Sequence, residues 1–164
     1  EGLNHTRDGD LKYKELTVMH FHHELSKFKV LVIDHITTMR SMTRGFLREV
    51  GIGVIDDTDN GLKALEIISV KTYDLIICDW DIPELNGLDL LKHVRANESS
   101  LNTLFFMITS SHDIDKVKQS IDAGVNEYII KPYQPDYLIN KVTHHLSKVT
   151  TPCSIANILN QKNK

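Results

Sequence analysis

The chain has 164 residues, of which 41% are apolar and 25% charged, a composition typical of soluble globular proteins. Its net charge of -3 offers no basic surface, so direct binding to nucleic acid is not expected. The apolar runs reach about five residues against roughly 20 for a membrane helix, so no membrane insertion is expected. Two cysteines without disulfide or zinc spacing favour a reducing, cytoplasmic location.

From residue 28 onward, short apolar runs rich in β-branched residues alternate with helical patterns. This alternation is typical of βα units and predicts an α/β fold with a parallel sheet covered by helices on both faces. The predicted strands are Val30–Ile33, Gly53–Ile55, Leu75–Cys78, Leu104–Ile108 and Glu127–Ile130.

Apolar residues at three- and four-residue steps predict a buried stripe on three of the helices. The stripes are Met39, Met42, Phe46 and Val50; Ile114, Val117 and Ile121; and Leu138, Val142, Leu146 and Val149. Residues that interrupt helices fall at the joints between the predicted elements. They are Gly51 and Gly53, Asn60-Gly61, Asn86-Gly87, and Gly124.

Both ends of the chain differ from the segment between them. Residues 1–27 are polar and contain histidines, and we expect a partly helical extension or a linker, with Val18, Phe21, Leu25 and Phe28 at helical spacing. Residues 150–164 are rich in Asn and Lys, and we expect a C-terminal tail.

Polar residues follow the predicted strands at the points where they end. They are Asp34, His35, Asp79, Asp81, Thr109, Ser110, Ser111 and Lys131. In an open parallel sheet the ligand crevice lies outside the carboxyl ends of the strands. Grouped carboxylates repel one another unless a cation lies among them, and oxygen ligands favour Mg²⁺. A lysine and a hydroxyl beside such a metal suit a phosphoryl group, so we interpret this edge as one where an aspartate accepts phosphate.

Four segments of the sequence resemble the receiver domains of two-component response regulators, especially the single-domain chemotaxis type. They are KVLVIDHITTMR, LIICDWDIPELNGLDLLKHVR, FFMITS and EYIIKPY. The resemblance implies a receiver domain over residues 28–149 with a flavodoxin-like fold. That fold is a doubly wound, five-stranded parallel sheet with strand order 2-1-3-4-5.

The resemblance implies a role for each residue that matches the motifs. Asp79 is the phosphoacceptor, and Lys131 binds the phosphoryl oxygens. Thr109 is the hydroxyl that moves toward the phosphoryl group on activation. Tyr128 is the aromatic switch whose ring turns inward when that hydroxyl moves.

The resemblance also implies a Mg²⁺ site, with Mn²⁺ as an alternative ion. Asp34 matches the first of the usual acidic pair, Asp79 is a ligand, and Asp81 stands where a backbone carbonyl binds the metal, its side chain being a further candidate. His35 departs from the pattern because most members carry a second acid there. Imidazole suits zinc, copper or nickel better than Mg²⁺.

The expected function is to accept a phosphoryl group on Asp79 from a histidine kinase or phosphotransfer protein and then to change contacts with a downstream protein target. Such a chain is no enzyme beyond assisting its own phosphotransfer and dephosphorylation.

Two alternatives remain open at this stage. His35 is compatible with a pseudo-receiver, a binding module that is not phosphorylated. Asp79-Trp80-Asp81 also fits the DxD motif of haloacid dehalogenase phosphatases, but that motif normally follows the opening strand.

Overall fold

The computed structural model describes residues 22–149, in which five strands alternate with five helices. The strands are β1 (Lys29–Ile33), β2 (Val54–Thr58), β3 (Leu75–Asp79), β4 (Leu104–Thr109) and β5 (Glu127–Ile130). The helices are α1 (Thr37–Glu49), α2 (Gly61–Val70), α3 (Gly87–Ala96), α4 (Ile114–Asp122) and α5 (Pro135–Val149). None of the helices in this part of the chain is long and apolar enough to cross a membrane.

The strands form one parallel sheet in the order β2-β1-β3-β4-β5, which confirms the predicted fold class. The central strand β3 is buried at all five positions. On one side of β3, Ile33 of β1 lies opposite Cys78, and on the other side Ile108 of β4 lies opposite Asp79. The residues that follow β1, β3 and β4 therefore meet at one edge of the sheet.

Two apolar layers hold the sheet between the helices. Leu75 and Ile77 of β3 lie in one layer, which includes buried residues of α1 and α5. Ile76 and Cys78 lie in the other layer, together with residues of α2 and α3. Because successive side chains of a strand point to opposite faces, a strand buried on both faces carries an unbroken apolar run, here the first four residues of β3.

The second strand differs from its prediction. It was expected at Gly53–Ile55, but it covers Val54–Thr58 and includes two acids. Asp56 accepts a hydrogen bond from Lys71, and Asp57 is paired with two arginines of α1. Because these partners neutralise the two acids, the strand continues past its apolar residues into a polar segment that the sequence pattern did not predict as strand.

The predicted stripe is confirmed on α5, where Leu138, Val142 and Leu146 are fully buried, although Val149 is exposed. On α1 the stripe is confirmed in part. Phe46 and Val50 pack against the core, but Met42 is 52% exposed, and the fully buried residues are Thr43 and Leu47.

The stripe predicted on α4 is wrong. Ser120 is its buried residue, whereas Ile114 and Ile121 are 67% and 62% exposed. The hydroxyl of Ser120 donates to the carbonyl of Lys116 in the preceding turn, so a small polar side chain is buried without an unpaired group.

The predicted interruptions coincide with helix ends. Asn60 and Asn86 cap α2 and α3, each accepting a hydrogen bond from a backbone N–H in the first turn. Gly124 follows α4 with φ of 88°, a left-handed conformation that favours glycine.

The segment before β1 packs on the domain. Leu25 and Phe28 are buried in the layer that contains α1 and α5. A Cβ atom at Gly53 would lie 1.8 Å from the carbonyl oxygen of Ser26, so the two backbones are in close contact. Residues 1–21 of the predicted extension, among them Val18 and Phe21, and the tail from 150 to 164 lie outside the described residues.

Candidate functional site

Two buried carboxylates lie next to each other at the carboxyl edge of the sheet. Asp79 ends β3 and is 5% exposed, and Asp34 directly follows β1 and is buried. The pairing of β1 with β3 makes these two residues neighbours. Like charges this close are unfavourable unless a cation neutralises them.

Lys131 supplies that cation from the end of β5. Its Nζ donates to Asp34 Oδ2 at 2.7 Å and to Asp79 Oδ2 at 2.8 Å. Burial acts to lower the pKa of Lys131, but the hydrogen bonds to the two carboxylates outweigh it, and the pKa is raised. The ammonium therefore stays charged. The Lys131-Pro132 peptide bond that follows is cis.

The other oxygen of each carboxylate accepts a backbone hydrogen bond. Asp79 Oδ1 accepts from the N–H of Asp81 at 3.2 Å, and Asp34 Oδ1 accepts from the N–H of Ile36 at 2.8 Å. Since both oxygens of each group are held, the two carboxylates have fixed orientations.

His35 lies beside this pair with its side chain 44% exposed. Its Nδ1 is 3.7 Å from Asp79 Oδ2, and the possible ligand atoms of Asp34, His35 and Asp79 all lie within 4.8 Å of one another. In the described part of the chain this group, called the Asp34–His35–Asp79 group below, is the one that could hold a metal ion. Its two carboxylates fit Mg²⁺, which is usually bound through one or two acids and waters, whereas its imidazole does not.

Asp81 points away from that group. Its Oδ1 lies 3.6 Å from the Nζ of Lys116 on α4, and its side chain is largely exposed. The same ammonium lies 5.0 Å from the ring centroid of Trp80. Lys116 thus contacts both residues that follow Asp79, on the loop between β3 and α3.

Thr109 ends β4 and is fully buried. It lies between the other site residues, since Asp79 pairs with the residue before it and Ile130 is its partner on β5. Its Oγ1 accepts a hydrogen bond from the N–H of Ser111 at 3.0 Å.

Tyr128, on β5, has its hydroxyl buried. Among the described residues this hydroxyl makes no hydrogen bond of normal geometry. Burial raises its pKa, while the nearby side chain of Thr109 acts to lower it. The ring packs against the layer that contains α2 and α3. A buried hydroxyl without a well-formed hydrogen bond is unfavourable.

Sequence reasoning missed two basic residues of the site, Lys116 and Arg40. Arg40, on α1, donates to the carbonyl oxygen of Asp34 at 2.7 Å and is paired with Asp57 at 3.0 Å. Asp57 lies within β2, and an acid in a strand indicates that a basic residue pairs with it, so Arg40 could have been inferred. Nothing in the spacing along the chain indicated that Lys116 reaches the loop after β3.

A comparison with known families assigns residues 30–143 to the response regulator receiver domain. Chemotaxis protein CheY-3 of Vibrio cholerae is 34% identical over 114 residues, which cover 70% of this chain and 88% of that protein.

Two solved structures have the same fold. CheY4 of Vibrio cholerae has a TM-score of 0.67 and 25% identity, covering 71% of this chain and 97% of its own. The receiver domain of a sensor histidine kinase from Pseudomonas aeruginosa has a TM-score of 0.67 and 20% identity, covering 73% and 98%. That structure has a magnesium ion coordinated in its active-site cleft.

The fold, the paired acids and the bridging lysine define an α/β signalling domain. The chain belongs to the response regulator receiver domain family of two-component systems. This membership argues against the haloacid dehalogenase alternative. Receiver domains act with histidine kinases and downstream targets, and they bind Mg²⁺ in the active site.

Proposed function

We propose that Asp79 accepts a phosphoryl group from the phosphohistidine of a histidine kinase or phosphotransfer protein and that the modification changes protein contacts. The observation that carries this proposal is the buried bridge from the Lys131 ammonium to Asp79 and Asp34. It places a fixed positive charge next to an ionised carboxylate at the edge of the sheet where ligands bind.

In the transfer step an oxygen of Asp79 forms a bond to phosphorus while the N–P bond of the donor breaks. The imidazole leaves with the electron pair of that bond, and it is neutral when its other nitrogen carries a proton. Lys131 stabilises the charge on the phosphoryl oxygens, and the backbone N–H of Asp81 holds the orientation of Asp79. Positioning and charge stabilisation account for most of the catalysis of phosphoryl transfer.

Asp34 and Asp79 would hold a divalent cation, with the backbone carbonyl of Asp81 as a further ligand by resemblance to the family. Mg²⁺ or Mn²⁺ bound there would neutralise part of the charge on the phosphoryl oxygens. Within the chain, the hydrogen bond from the N–H of Ile36 and the bond from Arg40 to the carbonyl of Asp34 keep that acid in place.

The change in protein contacts is proposed to pass from Thr109 to Tyr128. The Thr109 hydroxyl would turn toward the phosphoryl group, and the buried Tyr128 hydroxyl lies in the neighbouring strand. Apolar side chains exposed on α4, β5 and α5 form the surface that a downstream protein would contact. They are Ile114, Ile121, Ile130 and Tyr137.

Acetyl phosphate with Mg²⁺, followed by intact mass measurement, tests the acceptor. We expect the wild-type chain to gain about 80 Da, the mass of one phosphoryl group, and Asp79→Asn to gain nothing, because the amide is no nucleophile. Asp122→Asn, at the exposed end of α4, is the control and should still be modified. A mass gain in Asp79→Asn with an unchanged circular dichroism spectrum would place the acceptor elsewhere.

His35 favours a second candidate function, that of a pseudo-receiver which binds a partner without being phosphorylated. The imidazole stands where most members carry an acid, which removes one negative charge from the metal site. Absence of a mass gain in the wild-type chain with every metal tried, while partner binding persists, would favour this candidate.

A further inference from the structure

We propose that the Asp34–His35–Asp79 group is a site that prefers zinc-like divalent ions over Mg²⁺, with His35 supplying a nitrogen ligand. This proposal rests on the proposed function, since it concerns the metal of the same site.

The distances fit such a site. A tetrahedral zinc ion with ligand bonds near 2.0–2.1 Å keeps its ligand atoms about 3.3 Å apart. The Nδ1 of His35 is 3.7 Å from Asp79 Oδ2, and no two of the three possible ligand atoms are more than 4.8 Å apart. The imidazole is the exposed member of the group, and it is the side chain that would adjust to place the three atoms around one ion.

The chemistry of the ligands selects among metals. Imidazole nitrogen suits Zn²⁺ and Ni²⁺, whereas Mg²⁺ requires oxygen ligands in near-octahedral geometry. The sequence places a nitrogen ligand at the position where an acid would serve Mg²⁺.

The charge of the site acts in the same direction. Two carboxylates and the Lys131 ammonium that bridges them leave a net formal charge of -1. Mg²⁺ is held mainly by charge, so an acid already neutralised by lysine attracts it weakly. Zn²⁺ and Ni²⁺ form stronger bonds to imidazole and depend less on that charge.

Exposure of His35 leaves room for more ligands. The ring is 44% exposed, while Asp34 and Asp79 are buried on the protein side. Three protein ligands with an open position are typical of reactive zinc sites, where water or a substrate oxygen completes the coordination. A phosphoryl oxygen on Asp79 would have access to that position.

Binding is measured in the full chain by calorimetry and by the fluorescence of Trp80, the single tryptophan, which follows Asp79. The probes are Zn²⁺, Ni²⁺ and Mg²⁺. The background carries alanine at His20, His22 and His23, so that zinc bound to histidines of the N-terminal segment does not enter the measurement. We expect one ion per chain and at least about tenfold tighter binding of Zn²⁺ and Ni²⁺ than of Mg²⁺.

Two variants distinguish the contribution of the nitrogen ligand to metal affinity from the contribution of charge. His35→Asn keeps a neutral side chain and should weaken Zn²⁺ and Ni²⁺ at least about tenfold while changing Mg²⁺ less than about threefold. His35→Asp adds an oxygen ligand and a negative charge and should tighten Mg²⁺ about tenfold or more. The control is His112→Asn, an exposed histidine on the loop after β4, which should leave all three affinities unchanged.

Unchanged Zn²⁺ and Ni²⁺ affinity in His35→Asn would overturn the proposal. The mass gain with acetyl phosphate is scored separately. If the wild-type chain is phosphorylated and His35→Asn binds Zn²⁺ as tightly as the wild type does, the proposed function stands and the zinc site is wrong. If Zn²⁺ binds through His35 but the wild-type chain shows no mass gain, the zinc site stands and the proposed function is wrong.

Discussion

Lys131 neutralises two buried acids at once, since its ammonium is paired with both Asp34 and Asp79. Removing one partner of a buried ion pair leaves an uncompensated charge, which costs about 3 kcal/mol or more. We therefore predict that Lys131→Ala lowers the free energy of unfolding by about that amount. It should also reduce phosphorylation of Asp79 or separate phosphorylation from any change in partner binding. Chemical denaturation with and without Mg²⁺ measures the first effect, and intact mass measures the second.

The matched control is Lys63→Ala on α2, which breaks an exposed pair with Asp59. Solvent screens exposed pairs of this kind, so the control should unfold almost as the wild type does. Added Mg²⁺ should restore part of the stability of Lys131→Ala, since a second cation can replace the lost charge. Wild-type stability together with a normal mass gain in Lys131→Ala would remove the lysine from the mechanism.

The positions of Asp34, Asp79 and Lys131 were predictable because each directly follows a recognisable apolar strand, and strand order alone makes them neighbours. The directions in which the side chains point could not be predicted from the sequence. Asp81 reads in the sequence as a further acid of the site, yet its carboxylate lies near Lys116. An exposed side chain takes its direction from residues that are distant in sequence, and no local pattern encodes them.

At the scale of secondary structure, the loop after β3 closes tightly on the start of α3. The N–H of Gly87 donates to the carbonyl of Trp80, and a Cβ atom at Gly87 would lie 2.6 Å from the carbonyl oxygen of Asp79. We predict that Gly87→Ala displaces this loop, lowers the free energy of unfolding by about 1–3 kcal/mol and slows phosphorylation. Gly45→Ala, on the exposed side of α1 with nothing within 4 Å, should raise stability by about 0.5–1 kcal/mol. Equal midpoints for the two variants in thermal unfolding would contradict this account.

The helix stripes show where periodicity succeeds and where it fails. On α5 the apolar residues Leu138, Val142 and Leu146 are buried in the same layer as side chains of the sheet. On α4 the isoleucines Ile114 and Ile121 are exposed, and Ser120 is the buried residue. Periodicity identifies an apolar face, but it does not say whether this chain or another molecule covers it.

Across the whole molecule, charged groups at several places make stability depend on pH. Hydrogen bonds from Lys71 and Tyr73 lower the pKa of Asp56, so its contribution is present above its ordinary value of 3.8 and is lost as pH falls through the lowered value. The pKa of Lys131 and that of Tyr73 are raised, so their contributions are present below the ordinary values of 10.5 and 10.0 and are lost as pH rises further. We expect a broad maximum of stability between these limits.

Glu127 allows the acid side of this profile to be tested. Burial acts to raise its pKa, but hydrogen bonds from His145 at 2.8 Å and Lys141 at 3.0 Å outweigh burial, and the pKa lies below its ordinary 4.5. The ionised form is therefore favoured by folding, and its contribution is present above pH 4.5 and is lost as pH falls through the lowered value.

We predict that Glu127→Gln lowers the thermal unfolding midpoint near neutral pH, by the equivalent of about 1 kcal/mol, and makes the midpoint decline less steeply between about pH 5 and 3. Glu66→Gln, on an exposed position of α2, should follow the wild-type profile. Parallel acid profiles for Glu127→Gln and the wild type would show that this link between β5 and α5 contributes nothing to stability, because removing a carboxylate whose pKa is lowered by folding must change the slope.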